Sequence, residues 1–288
     1  MQIPEVRQSS DHDDWSWVFS ILDSRGFPTP KLAQSTLLIA GREGFLLGNL
    51  TQKDTAFLSY LYVENGSRRK GIGSSLVSAF VELSRKHHAN QIVIPGSTGN
   101  APGYLQPGVN TETEKDALEL FYRYGFIEIG DVCSMQRGLT DRIDIPYDKD
   151  WEICHPSSED LESLTDAIAH SVPGEWNTVF KERFELNPQQ ILIAKNHQLI
   201  GAYSTWLDGR FGPIGVRPEY RGKGLGRLLL AHSLERMREQ GSARAWFSWS
   251  DSENLKFYEG FGFSVTKSYK RVKLDLESLC NLSWCEVP

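Results

Sequence analysis

The sequence predicts an α/β (α+β) chain made of two tandem copies of one domain, and three observations predict it. Its 288 residues exceed one typical domain and divide into halves that can each bury a core. A glycine-rich stretch, Ser67 to Ser74, returns as Tyr220 to Arg227, and both read Arg-x-Lys-Gly-x-Gly after the first residue. Each stretch is framed by the same neighbours: an apolar run ahead, a helix-period run behind, and an aromatic segment closed by glycine further on.

In the first copy the run ahead is Ala56 to Val63, which reads as a strand, and the helix behind carries Leu76, Val77, Phe80, Val81 and Leu83. In the second copy the corresponding pieces are Phe211 to Val216 and Leu228, Leu229, Leu230 and Leu234. Downstream, Leu120 to Phe126 is echoed by Phe257 to Phe263, each a short helix ended by glycine before a strand. The first copy is longer between its two motifs. Its surplus, Gly96 to Thr113, is rich in Gly, Pro and Asn and reads as a long loop. The polar stretch Thr140 to Asp150, with Pro146, reads as a linker. Copy two then opens with a strand at Trp151 to Cys154, a helix from Glu159 to Ala169 and a helical stretch after Pro173, followed by strands at Gln190 to Ala194 and Leu199 to Trp206. The expected domains are 1–139 and 151–280, with 281–288 as a tail.

Composition narrows the function classes. The chain is 40% hydrophobic and 24% charged, as globular proteins are. A net charge of -6 argues against nucleic acid as a partner, because that affinity comes from many Lys and Arg contacts. No apolar run approaches a bilayer span, and the first residues lack a basic segment leading into an apolar one, so the chain reads as cytoplasmic, without a membrane partner. Cys133, Cys154, Cys280 and Cys285 show neither CxxC pairing nor a histidine at ligand spacing, which points to free thiols and no metal. His87 and His88 fall at a helix end and His12 in an acidic turn, positions of solvated or capping histidines.

A glycine turn feeding a helix presents several backbone N–H groups in one direction, reinforced by the positive end of the helix dipole, and so binds phosphate. Gly224 and Gly226 let the backbone approach the anion, and Arg221, Lys223 and Arg227 add charge. A dinucleotide fingerprint would need glycine where Leu229 stands, and neither copy contains a P-loop.

These residues carry a resemblance. Val216 to Gly226 resembles the acetyl-CoA motif of the GNAT N-acetyltransferases, [RQ]-x-x-G-x-[GA], and Phe257-Tyr258 with Gly262-Phe263 resembles that family's closing signature. The first copy resembles the family chiefly in Arg68 to Gly73. The resemblance implies tandem GNAT folds, each a mixed, mainly antiparallel sheet splayed in the middle and flanked by helices. It implies acetyl-CoA as acyl donor, an amine as acceptor, and a backbone N–H near Ile214, Gly215 and Val216 that polarises the acyl carbonyl. The pyrophosphate would lie on Arg221, Gly222, Lys223, Gly224, Leu225, Gly226 and Arg227, with Asp251 and Asn254 also on the cofactor; Asp251 stands where the family usually has asparagine. A second possible cofactor site is Arg68, Arg69, Lys70, Gly71, Ile72, Gly73 and Ser74.

By the same resemblance, the tyrosine four residues before the glycine of the closing pair protonates the departing thiolate, which assigns Tyr258. The equivalent count from Gly125 reaches Phe121, with no proton to give, and Tyr122 beside it faces elsewhere on the helix. Catalysis is therefore expected in copy two, with Glu175, Asp208 and Asp251 as candidate bases and Trp176, Trp206, Phe211, Trp246 and Trp249 as candidate pocket or core residues. A small-molecule primary amine is the expected acceptor. The alternatives are a peptide or protein amine, and a CoA-binding regulatory module without turnover.

Overall fold

The computed structural model describes residues 3–27, 35–50, 53–94, 106–146, 148–171 and 176–277. They form two compact units: residues 1–132 with 268–288, and residues 133–267.

Unit 1 is a sheet with helices on both faces. Its strands are β1 (Val6–Ser9), β2 (Thr36–Ala40), β3 (Gly44–Asn49), β4 (Thr55–Val63) and β5 (Gln91–Ile94), hydrogen-bonded in that order. The first four run antiparallel, and β5 joins β4 in parallel through α2 (Ile72–Lys86), the crossover a parallel pair requires. Strands β2 and β3 alternate strictly. Leu37, Ile39, Phe45 and Leu47 pack toward α1 (His12–Ser24), while Leu38, Ala40 and Leu46 pack toward α2, so both faces are apolar. Asp11 caps α1 by accepting from the N–H groups of Asp13 (2.8 Å) and Asp14 (3.2 Å).

Two departures from the sequence reading appear here. Part of the expected loop lies outside the described residues, but Val109–Asn110 is a short strand, β6, not loop. Gly108 beside it has no room for a side chain, since an added Cβ would lie 2.7 Å from Lys270 O. The strand it pairs with is the second departure. The last strand among the described residues, Ser264–Asp275, supplies Tyr269 and Lys270 to β6 and residues 272–275 to β5, with Val272 opposite Ile94 and Leu274 opposite Ile92. Val272, Leu274 and Leu276 are buried in the unit 1 core beside α3 (Lys115–Arg123).

Unit 2 repeats the plan. Strand β7 (Ile127–Gly138) contributes its residues 133–138, followed by β8 (Glu152–Cys154), β9 (Ile191–Asn196), β10 (Leu199–Leu207), β11 (Arg210–Val216) and β12 (Arg244–Asp251). The order is β7-β12-β11-β10-β9-β8, with β11 and β12 parallel. Helices α4 (Leu161–Ser171) and α5 (Trp176–Leu186) cover one face; α6 (Leu225–Glu239) and α7 (Leu255–Glu259) cover the other. We label the closing strand, Ser264–Asp275, β13. The boundaries read from sequence, 139 and 151, therefore differ from those of the compact units: Leu139 and Ile143 are buried in the unit 2 core, and residues 140–146 belong to that unit. The expected tail, 281–288, lies outside the described residues.

Glu235 fastens that segment. It is buried, accepts the N–H of Ile143 (3.0 Å) and receives Arg238 through Nε (2.9 Å) and Nη2 (2.8 Å). These donors hold its carboxyl down at about 2.

Two predictions follow from this fold. A fragment of residues 1–139 lacks Val272, Leu274 and Leu276; at about 2 kcal/mol per buried apolar side chain, their loss removes about 6 kcal/mol, comparable to a domain's whole stability. That fragment should show no cooperative thermal transition by circular dichroism until a peptide of residues 264–277 is added. A carboxyl whose folded value lies below its unfolded one stabilises the fold above the unfolded value and loses that contribution as the pH falls toward the folded one. The melting temperature of Glu235→Gln should thus lie below wild type at pH 7, and the gap should close as the pH is taken from about 4.5 toward 2.

Candidate active site

In each unit the site begins where a parallel pair parts. Strands β11 and β12 pair only at Arg210 and Trp246. Among the described residues, strands β4 and β5 pair at Thr55, Ala56 and Phe57. Phe57 and Arg210 occupy the same place in the repeat. Directly beyond them, both strands bulge: the register against β3 slips at Ser59, and the register against β10 slips between Phe211 and Ile214. Past the bulge, the edge facing the departed partner is open.

The open edge has donors of known direction. The Arg217 N–H donates to Gly201 O (2.9 Å) on the β10 side, so the Val216 and Ile214 amides, one and three residues earlier, face the opening. The Gly215 amide, expected among the donors, faces β10 instead. Gly215 is glycine because the ring of buried Tyr203 lies on it: an added Cβ would meet the Tyr203 hydroxyl at 2.3 Å. In unit 1 the Glu64 N–H donates to Glu43 O (2.7 Å), which likewise leaves the Val63 and Leu61 amides facing the opening.

Each strand runs into its glycine turn through a short 3-10 segment, Asn65–Ser67 or Pro218–Tyr220. Gly71 (φ 88°, ψ -9°) caps α2 and Gly224 (φ 86°, ψ -9°) caps α6, both left-handed. One position differs: left-handed Gly222 (φ 73°) corresponds to Arg69 (φ 60°), a strained choice for a residue with a side chain. Among the described residues, no acceptor from the chain meets the N–H groups of Lys223, Gly224, Leu225 and Gly226, the donors a helix start leaves open. The charged side chains have other work. Arg221 Nε donates to Val216 O (3.1 Å), as Arg68 Nε does to Val63 O (3.1 Å), and Arg221 Nη2 donates to Ser171 O (2.8 Å). Lys223 and Arg227 lean over the rings of Tyr220 and Phe261. The turn is braced by side chains and offers its backbone.

Tyr258 lies on α7, half-buried, with Phe247 and Phe263 at ring-centroid distances of 4.5 and 5.6 Å. Among the described residues its hydroxyl has no hydrogen-bond partner in the chain. Burial, with a smaller contribution from the Cys133 thiol, pushes it up to about 12, so it carries its proton at neutral pH. Phe121 is its structural counterpart: the Phe126 N–H donates to Phe121 O (3.1 Å) as the Phe263 N–H does to Tyr258 O (3.2 Å).

Asp251 ends β12 and Asn254 caps α7, both exposed near Tyr258. Asp208 is exposed in the turn between β10 and β11, while Glu175 lies outside the described residues. Trp206 and Phe211 are core residues rather than pocket residues, with Trp206 Nε1 donating to Gln240 (2.9 Å). Sequence reasoning missed a cavity of about 480 Å³ in unit 1, lined by its turn and by Arg25, Tyr60, Tyr62 and Glu114. Laying the second copy on the first would have shown the signal, because Tyr60 and Tyr62 fall where β11 has Pro213 and Gly215. Among the described residues no cluster of three potential metal ligands occurs, and no helix is long and apolar enough to cross a membrane.

Comparison with known proteins agrees with this geometry. The profile of the acetyltransferase (GNAT) family matches residues 10–102, and that of the acetyltransferase (GNAT) domain matches residues 187–265. The chain is 32% identical over 108 residues to the [ribosomal protein bS18]-alanine N-acetyltransferase of Haemophilus influenzae, covering 35% of this chain and 73% of that one. It is 26% identical over 290 residues to the mycothiol acetyltransferase of Propionibacterium freudenreichii subsp. shermanii, covering 91% of this chain and 84% of that one. A tandem GNAT protein from the clavulanic acid biosynthesis pathway superimposes with a TM-score of 0.63 at 16% identity, covering 94% of this chain and 99% of that one. Two parted sheets, each with a glycine turn opening a helix and each matched by the same family, make this chain a tandem member of the GNAT N-acetyltransferases.

Proposed function

We infer that the chain transfers an acetyl group from acetyl-CoA to the primary amine of a small molecule, and that unit 2 carries the chemistry. One observation carries this reading: unit 2 combines a turn of unengaged amides with a protonated, unpartnered tyrosine, whereas unit 1 has Phe121 at the tyrosine's place.

In this reading the amides of Lys223 to Gly226 and the dipole of the 15-residue α6 hold the pyrophosphate of acetyl-CoA. The pantetheine arm lies along the edge of β11 that β12 leaves open. The Val216 or Ile214 N–H donates to the thioester oxygen and stabilises the charge that develops when the amine attacks. The carbon–nitrogen bond forms, the carbon–sulfur bond breaks, the Tyr258 hydroxyl gives its proton to the departing sulfur, and the proton shed by the attacking nitrogen passes to water, from which Tyr258 regains its own. A tyrosine held near 12 remains protonated until late in the alkaline range, which suits it as an acid. The two relatives above are named for the alanine of ribosomal protein bS18 and for mycothiol; a peptide amine is the second acceptor class to test.

The acid is tested by Tyr258→Phe, which should lower kcat at least about tenfold on an accepted amine while leaving the calorimetric Kd for acetyl-CoA unchanged. Wild-type turnover in that variant would sink the assignment. The turn is tested by Gly226→Glu, which sets a carboxylate where phosphate should lie. With unit 1 blocked in parallel by Gly73→Glu, acetyl-CoA affinity should fall by about two orders of magnitude or more, as expected for lost charged hydrogen bonds and added repulsion. Binding without thiol release across small-molecule and peptide amines would favour a regulatory module instead.

A further inference from the structure

Past its bulge, the end of β11 keeps one neighbour where a strand inside a sheet has two: Val216 pairs with Ala202 of β10, and its other edge faces the opening. A donor held from one side keeps its direction less well, and direction is what a hydrogen bond to developing charge needs. Two arginines tie this strand end down. Arg217, the residue after Val216, is buried although it is charged. Its Nε donates to Ile200 O (2.8 Å) on β10 and its Nη2 to the half-exposed Asp166 carboxylate (2.5 Å) on α4, with Glu219 3.9 Å from Nη1. The guanidinium holds the Asp166 carboxyl below the usual carboxylate range. Arg221 reaches the same helix: its Nε donates to Val216 O (3.1 Å) and its Nη2 to Ser171 O (2.8 Å), at the C-terminal end of α4. The peptide joining Val216 to Arg217 is thereby fastened to β10, to α4 and to the turn.

Unit 1 closes its strand without this tie. Glu64 stands where unit 2 has Arg217: its N–H makes the same bond across the sheet, to Glu43 O, but its side chain accepts from the Tyr62 hydroxyl. Arg68 donates to Val63 O, and among the described residues neither side chain bonds to α1. Sheet pairing therefore suffices to form the strand end, and the second fastening belongs to the unit that carries Tyr258. A buried ion pair is also a weak stabiliser, since apolar side chains of similar size often hold a fold as well. We propose that Arg217, held by Asp166, is a positioning residue for acyl transfer: it fixes the peptide plane whose Val216 N–H points into the opening, so that this amide meets the thioester oxygen. This role rests on the reading that unit 2 transfers the acetyl group, and it takes the Val216 amide as the donor.

The test uses the full chain with Gly73→Glu as the reference, so that acetyl-CoA reports on unit 2. Two variants are made in it: Asp166→Ala, which leaves Arg217 without its carboxylate, and Asp166→Ala with Arg217→Met, which removes both charges and keeps an apolar chain in the buried place. The readouts are kcat on an accepted amine, the calorimetric Kd for acetyl-CoA, the melting temperature, and the infrared carbonyl band of carbon-13 carbonyl-labelled acetyl-CoA bound without amine. A hydrogen bond to the carbonyl oxygen lowers that band. In the reference it should lie below the band of free acetyl-CoA; in both variants it should move back toward the free value while kcat falls about tenfold or more. Kd should change less than about threefold, and the double variant should melt near the reference, which separates lost rate from lost fold. Should Asp166→Ala unfold, the double variant decides. A double variant with the reference band and the reference kcat would overturn the positioning role and leave acetyl transfer in unit 2 standing. A reference band at the free frequency would overturn the role together with the Val216 donor, whereas the acid in unit 2 is judged separately by Tyr258→Phe.

Discussion

The parting of one parallel strand pair governs each unit. A strand inside a sheet normally spends both edges of its backbone on neighbours, and an unspent edge is costly unless water or a ligand meets it. Among the described residues, β4 pairs with β5 as far as Phe57 and β11 with β12 at Arg210, the same place in the repeat. The bulge beside each parting point turns the remainder of the strand and frees alternate amides toward the opening. The opening exists because the crossover helix between the two parallel strands starts at the glycine turn and holds its N-terminus toward that gap. Strand edge, turn and helix start therefore present their donors together.

The turn illustrates a division between backbone and side chain. Its glycines take left-handed conformations that bring successive amides to one side, and Arg221 and Arg68 spend their guanidinium groups on the last carbonyl of the preceding strand. Phosphate recognition by backbone needs the loop to be stiff, because each amide that must be ordered on binding subtracts from affinity. The arginine supplies the stiffness. That Arg69 tolerates a left-handed φ where the other copy has Gly222 shows how strongly the flanking strand and helix dictate this loop.

On this common frame the two copies have diverged in chemistry. At the α7 position Tyr258 corresponds to Phe121; along the bulged strand Pro213 and Gly215 correspond to Tyr60 and Tyr62. The first change leaves the backbone undisturbed, since matching hydrogen bonds close both segments, whereas at the second the Gly212–Pro213 bond is cis. A hydroxyl in one copy and a polar cavity wall in the other are what a duplicated scaffold permits when its fold rests on main-chain geometry and alternating apolar residues rather than on the site itself.

Much of this was legible in the chain itself. The repeat, the strand–turn–helix order and the periodicities of Leu76 to Leu83 and Leu228 to Leu234 depend only on local pattern, and local pattern set those elements. The glycine turns were legible because left-handed φ is a property of the residue. The sequence could not reveal which last strand completes which sheet. Residues 133–138 and 268–275 both alternate, and alternation tells a strand which face to bury, not which neighbour to pair with. Nor could it show the Arg25, Tyr60 and Glu114 grouping, whose members come from three elements far apart in the chain. Local chemistry determined the turns and helices; the choice of strand partners and the gathering of distant residues around one cavity were decided only by tertiary packing, where one pairing excludes another.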